Sequence, residues 1–135
     1  MCDISIKTNL KSKTIYKVAF KDYNEYYAVF SHLNLKIGKV SVPSNIKGRY
    51  EYEVIYNPLM VDKTSGFASL RAAKRLLNHK LSCSYYNNKI VILKMKIRGN
   101  ILKGTSDKIA LYFPKDFITY AGEEIISMEE VYCIK

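Results

Sequence analysis

The sequence has no tryptophan, three prolines, six glycines and no run of 18 apolar residues. The scarcity of proline and glycine argues against long flexible linkers, and hydrophobic residues make up 48% of the chain, which argues against a disordered protein. The lack of a long apolar run argues against a membrane-spanning helix. Because 135 residues suit one core and are too few for two ordinary ones, we expect a single domain over residues 1–135.

Cysteine and histidine are also scarce. Cys2, Cys83 and Cys133 show no CxxC spacing, and His32 and His79 belong to no HExxH or Cys/His pattern. The sequence therefore predicts neither a disulfide framework nor a metal site, and it indicates no cofactor. The first residues lack the basic start and apolar stretch of a secretory signal, so free thiols in a reducing cytosol are expected.

Motifs that would indicate catalysis are missing as well. No glycine-rich phosphate loop occurs, and a spacing of four between His79 and Cys83 is not a recognised catalytic arrangement. The adjacent glutamates at 123–124 and 129–130 are typical of a solvated face. The segment from Gly99 to Gly104 is interpreted as a turn between strands that could contact an anion. We expect a protein that is not an enzyme.

Acidic residues are few relative to basic ones. The chain has 22 Lys and Arg against 12 Asp and Glu, for a formal net charge of +10, and the excess lies in the first hundred residues. Such an excess favours a polyanionic partner: a nucleic acid, a nucleotide or an acidic protein face. Lysine dominates over arginine, which favours backbone contact over base reading. Alternatively, the abundance of Lys, Asn, Ile and Tyr reflects an AT-rich coding sequence.

Hydrophobic periodicity predicts many short strands and one helix. Alternation indicates strands over residues 14–20, 25–30, 35–42, 50–56, 89–98, 109–113 and 131–134, with a turn at 21–24 and a connection over 59–68. Apolar residues at 70, 73, 76 and 77 predict a helix near 69–79, with Ser69 as its N-cap and Thr64 and Ser65 as earlier candidates for the cap. The fold class is therefore α+β: a mostly antiparallel sheet of about six to eight strands, which could curl into a barrel, packed by this helix.

Tyrosine is abundant, with twelve residues. Six of them and six cations are close in sequence near the N-terminus: Tyr23, Tyr26, Tyr27, Tyr50, Tyr52, Tyr56, Lys17, Lys21, Lys36, Lys39, Lys47 and Arg49. Interleaved rings and cations suit base stacking with phosphate neutralisation, although tyrosine also packs well in half-buried strands and in protein interfaces. The candidate anion- or nucleic-acid-binding residues are Arg49, Arg71, Lys74, Arg75, Arg98, Tyr27 and Tyr52.

One stretch carries a resemblance. The run Gly66-Phe67-Ala68-Ser69-Leu70-Arg71-Ala72-Ala73-Lys74-Arg75-Leu76 follows Tyr16-Lys17-Val18 and precedes the alternating segment 91–97 and a glycine at 99. This order resembles small phage- and virus-encoded α+β proteins in which Gly-Phe-His opens a short helix, with phage counter-defence proteins that sequester Thoeris-type cyclic nucleotide signals as distant members. Ala68 replaces the histidine of that pattern, so no ligand contact of that histidine carries over. Phe67 is expected in the core.

These observations lead to three functional hypotheses. The first is a viral accessory or counter-defence protein that binds a phosphate-bearing or acidic host factor in the host cytosol, without catalysis and without a membrane partner. The second is a dimeric protein that sequesters a small nucleotide. The third is a protein–protein inhibitor or a structural viral component.

Overall fold

The computed structural model describes residues 4–28, 34–39, 64–80, 89–105 and 118–133. Within these ranges the chain forms ten strands and one helix: β1 (Ile4–Lys7), β2 (Ser12–Asp22), β3 (Glu25–Ala28), β4 (Asn34–Leu35), β5 (Gly38–Lys39), β6 (Ser65–Phe67), α1 (Leu70–Lys80), β7 (Lys89–Arg98), β8 (Leu102–Thr105), β9 (Thr119–Ala121) and β10 (Glu124–Cys133). The expected class, a mostly antiparallel sheet with a short helix, is confirmed.

The strands form one sheet in the order β1-β8-β9-β6-β2-β7-β10-β5, with β3 also on β2 and β4 on β3. Each of these pairings is antiparallel. At the centre, β2 pairs with β7 in unbroken register from Ser12↔Arg98 to Lys21↔Lys89. Long alternating segments thus make the centre of the sheet, and the shorter strands extend it.

A side-chain contact between strands that are far apart in pairing order indicates that the sheet curls toward its inner side. The Tyr26 hydroxyl on β3 donates to Glu130 Oε2 on β10 at 2.9 Å, although β2 and β7 lie between these strands. The curl does not become a closed barrel within the described ranges: β4 pairs with β3 and β5 with β10, and only the chain at Lys36 and Ile37 joins these two branches.

Alternation along β7 divides the core between the two faces of the sheet. Val91, Leu93, Met95 and Ile97 are fully buried on the inner face. Ile90 and Ile92 on the opposite face are also buried, because α1 covers them together with Val18 and Phe20 of β2. We call this second side, on β2, β7 and β10, the helix-bearing face.

The helix begins where the sequence indicates. The Ser69 hydroxyl accepts the amide of Ala72 at 3.2 Å, which is the hydrogen bond of an N-cap. Ala73 and Leu77, spaced for one side of a helix, are fully buried against the sheet, and Phe67 just before the helix is 1% exposed. The predicted helix, cap and core phenylalanine are therefore confirmed.

Several strand boundaries differ from the sequence-based expectation. The predicted strand over 35–42 is interrupted, because β4 and β5 pair with different neighbours. The expected connection over 59–68 contains the strand β6, which pairs with β9. In β6 the backbone of Gly66 lies so close to β2 that a Cβ there would be 2.8 Å from the Tyr16 carbonyl oxygen. Gly104, predicted as a turn, lies within β8. The predicted strands over 50–56 and 109–113 lie outside the described residues.

Candidate anion-binding face

The uncovered end of the helix-bearing face consists of three cross-strand rows beyond the helix. In register, Ser12, Thr14 and Tyr16 of β2 lie opposite Arg98, Lys96 and Lys94 of β7, and these lie opposite Glu124, Ser127 and Glu129 of β10. Paired residues of antiparallel strands share a face, so these nine side chains lie on one surface. The helix α1 covers this face as far as Ile92, and the nine residues beyond it are left uncovered by α1.

The central strand supplies a line of three cations on this surface. Lys94, Lys96 and Arg98 are all exposed, and they alternate with Met95 and Ile97, which are buried on the inner face. A two-residue repeat along a strand is about 6.7 Å, so the Cα atoms of the three residues are evenly spaced along β7. We call Lys94, Lys96 and Arg98 the β7 cation row.

Carboxylates border this row on the β10 side. Arg98 donates from Nη2 to Glu124 Oε1 at 2.7 Å and from Nε to the same oxygen at 3.0 Å, and its side chain remains 57% exposed. Glu129 lies opposite Lys94 in register, whereas Lys96 lies between the hydroxyl residues Thr14 and Ser127. Lys39 of β5 adds a further cation beyond Glu124. The β2 side of the row carries no charged residue among Ser12, Thr14 and Tyr16.

The helix contributes three more cations to the same side of the sheet. Arg71 and Arg75 are exposed on α1. The ammonium of Lys74 lies 4.6 Å from the centre of the Tyr132 ring, a cation–π contact that joins α1 to β10. Four of the seven predicted binding residues, Arg71, Lys74, Arg75 and Arg98, are thus on the helix-bearing face.

The structure does not place the remaining three predicted binding residues beside these cations. Arg49 and Tyr52 lie outside the described residues. Tyr27 packs against the core under α1 and donates its hydroxyl to Glu25 at 2.7 Å, a hydrogen bond that raises the pKa of the Tyr27 phenol. Asp22 lies opposite Glu25 in register, so Tyr27 is at the acidic end of this face.

The predicted cluster of N-terminal tyrosines and lysines is not one basic surface among the residues that the structure describes. Lys17 is buried on the inner face, and its Nζ donates to the Ser65 carbonyl at 2.8 Å and to the Ser65 hydroxyl at 3.2 Å. Tyr23 is 90% exposed at the β2–β3 turn, where it adopts a φ of 56°. The expectation is wrong for these residues because alternation sends neighbouring side chains to opposite faces.

Lys21, Tyr26 and Glu130 form a small network on the inner face. Glu130 Oε2 accepts from Lys21 Nζ at 3.1 Å and from the Tyr26 hydroxyl. Partial burial acts to raise the pKa of Glu130, but the two hydrogen bonds and the charges of Lys21 and Lys89 outweigh it, so this pKa lies below its usual value. The hydrogen bond to Glu130 raises the pKa of Lys21, while burial and that same carboxylate raise the pKa of Tyr26.

At the turn that begins the segment from Gly99 to Gly104, the carboxylate of Glu123 already accepts a backbone hydrogen bond. Glu123 Oε1 accepts the amide of Asn100 at 2.7 Å, and the Glu123 amide donates to the Arg98 carbonyl at 2.9 Å. Gly99 has a φ of 105°, and a Cβ there would lie 2.7 Å from that of Glu123. A concavity of about 530 Å³ beside this turn is lined by residues 8–11, 98–101 and Glu123.

Lys94 and Lys96 are site residues that the sequence reasoning did not single out. Their signal is present in the sequence, since the run Lys94-Met95-Lys96-Ile97-Arg98 alternates cations with apolar residues. In the parts of the chain that the structure describes, no group of three or more His, Cys, Asp or Glu side chains is placed to hold a metal ion. Over the same residues, no helix has the length and apolar character needed to cross a membrane.

Comparisons with protein-family models, with curated proteins and with solved structures find no match to this chain.

Proposed function

We propose that this protein binds a phosphate-bearing or acidic polyanion through the helix-bearing face, without chemistry of its own. The supporting observation is the collection of cations on one side of the sheet. Lys39, Lys94, Lys96 and Arg98 come from the strands, and the helix adds Arg71, Lys74 and Arg75. Among the described residues, Glu124 and Glu129 are the carboxylates that lie in register with these strand cations.

The charge is also directional. The acidic residues of β2 and β3 on this face, Asp22 and Glu25, lie at the end of the sheet that is remote from Arg98. A polyanion is therefore attracted to the end formed by the β7 cation row and is repelled from the acidic end, and α1 lies between these two ends. Codon bias would account for the number of lysines, but it would not account for their position on one face.

The biological role that we propose comes from the sequence resemblance. A viral accessory or counter-defence protein that captures a host polyanion would use a basic face of this kind. The nucleotide-sequestering alternative has less support, since the concavity beside Gly99 is lined by Glu123 as well as by Arg98 and Lys11. Under the third hypothesis, a protein–protein inhibitor, the same face would bind an acidic partner protein.

Charge reversal of the helix tests the proposal. Binding of a fluorescently labelled oligothymidylate is measured by anisotropy between about 50 and 200 mM salt for the wild type and for Arg71→Glu/Arg75→Glu. We expect weaker binding and a plot of log K against log salt that is shallower by about 1.4, because each phosphate contact on a single strand contributes about 0.7 to the slope.

The matched control reverses two exposed lysines elsewhere. Lys36 lies at the β4–β5 connection, and Lys89 lies on β7 at the position that alternation assigns to the other face. Lys36→Glu/Lys89→Glu changes the net charge by the same amount and should leave most of the affinity and slope intact. Equal losses in both double variants would show that net charge alone drives binding and would refute a specific face.

A further inference from the structure

We infer that the partner of the helix-bearing face is a single-stranded nucleic acid whose backbone runs along the β7 cation row. This inference rests on the proposed function and adds the class and orientation of the ligand. It follows from three features of the surface: the spacing of the row, its width and the groups on either side.

The spacing of the cations suits one extended phosphodiester chain. Lys94, Lys96 and Arg98 repeat every two residues along the continuous ten-residue strand β7, at about 6.7 Å. This repeat is comparable to the separation of successive phosphates in an extended polynucleotide. Each cation can therefore meet one phosphate of a strand that runs parallel to β7, without a bend in either chain.

The width of the row suits one backbone and disfavours two. Neighbouring strands are about 4.8 Å apart, and on the β10 side the next side chains are Glu124 and Glu129. The two backbones of a duplex are separated by grooves about 6 and 12 Å wide. Across the narrower groove, a second backbone on that side would lie near the β10 carboxylates, whereas across the wider groove it would lie nearer β5 and Lys39. The acidic border therefore disfavours a duplex whose minor groove faces the sheet.

The other border of the row is compatible with a nucleic acid strand. Ser12 and Thr14 on β2 are exposed hydroxyl residues next to Arg98 and Lys96, and hydroxyls commonly donate to phosphate oxygens. Tyr16, half-buried opposite Lys94, places an aromatic side chain beside the row, and aromatic rings are sequence-tolerant partners for bases.

The helix limits the surface at the Lys94 end. A helix is about 10 Å across, and α1 covers the sheet at Ile92, the next residue on this face after Lys94. A flexible single nucleic acid strand can pass beside α1 and contact Arg71 and Arg75, which are exposed on this helix. Because contacts to the backbone dominate, we expect little dependence on base sequence.

The test compares single-stranded and duplex DNA of the same length and sequence, by anisotropy at low salt, for the wild type and Lys94→Gln/Lys96→Gln. The matched control is Lys36→Gln/Lys89→Gln, and Lys96→Gln alone serves if the double variant unfolds. We expect the wild type to bind the single strand at least tenfold more tightly than the duplex. The row variant should lose about 1.4 from the salt slope on the single strand, and the control should not.

The outcomes separate this inference from the proposed function. Equal or tighter binding of the duplex, with sensitivity to Arg71→Glu/Arg75→Glu but not to Lys94→Gln/Lys96→Gln, would overturn the single-strand assignment and leave polyanion binding in place. Saturable binding of mononucleotides with no gain for longer strands would also overturn it. If neither nucleic acid nor an acidic polypeptide such as polyglutamate binds at low salt, both the inference and the proposed function are wrong.

Discussion

At the scale of single residues, Lys17 shows how position on a strand overrides residue type. Its neighbours Tyr16 and Val18 lie on the helix-bearing face, so the pleat sends Lys17 inward, where it is 7% exposed. Its ammonium is satisfied there in part by the Ser65 carbonyl and hydroxyl of β6. These hydrogen bonds connect the central strand to β6, where register pairing with β2 is limited to Tyr16↔Phe67.

We predict that Lys17→Met lowers the free energy of unfolding by about 1–3 kcal/mol, because it leaves buried oxygens of Ser65 without this donor while keeping a similar volume. Ser65→Ala should cost less, since Lys17 keeps the backbone carbonyl as an acceptor. Urea denaturation measures both variants. A Lys17→Met protein as stable as the wild type would contradict the importance of these hydrogen bonds.

The same scale explains which site residues could be predicted from the sequence. Arg71, Arg75 and Arg98 are exposed on the helix-bearing face because helical and strand periodicities place them there, and both periodicities can be read directly. The burial of Lys17 and the packing of Tyr27 could not be predicted in this way. Their environment depends on the position of α1 over the sheet and on the approach of β6, and both result from contacts distant in sequence.

At the scale of elements, long periodic segments were predictable and short strands were not. The alternating runs of β2 and β7 and the capped helix α1 carry their own signals. By contrast, β6 and β9 have three residues each, which is too few for a periodicity, and they form by pairing with each other and with a neighbour already in place. The breakdown of the predicted 35–42 strand has the same cause, since its two parts bind different partners.

We expect acid to weaken the contact between β3 and β10. The pKa of Glu130 is lowered in the folded state because the hydrogen bonds from Tyr26 and Lys21 outweigh partial burial. Its ionised form therefore stabilises the fold at pH values above the ordinary glutamate pKa, near 4.5. This contribution is lost as the pH falls from there through the lower folded-state pKa.

We predict that Glu130→Gln reduces the free energy of unfolding at pH 7 and that its difference from the wild type shrinks below about pH 4. Urea denaturation across this pH range measures the difference. Glu129→Gln, which alters an exposed residue on the opposite face, is the control and should keep the acid-dependent contribution of Glu130. A difference between Glu130→Gln and wild type that stays constant from pH 7 to pH 3 would contradict this role.

At the scale of the whole molecule, the described residues separate a buried inner face from a charged outer one. The inner face holds the larger core with Lys17 within it, and the helix-bearing face is apolar under α1 and cationic beyond it. Net charge and a basic N-terminal region were evident in the sequence. The position of the cations on one face could not be predicted, because it depends on the register of β2, β7 and β10, which no local sequence pattern encodes.

The central claim is that this face, rather than the molecule's net charge, contacts the polyanion. The most direct measurement is a titration of the ¹⁵N-labelled protein with an oligothymidylate, followed by amide chemical shifts at low salt. We predict that the largest shifts come from residues 70–75, 94–98 and 12–16, and that they diminish together as salt is added. Shifts that instead centre on Tyr23, Ile37 and the β3–β4 region, or that spread evenly over the surface, would contradict the account.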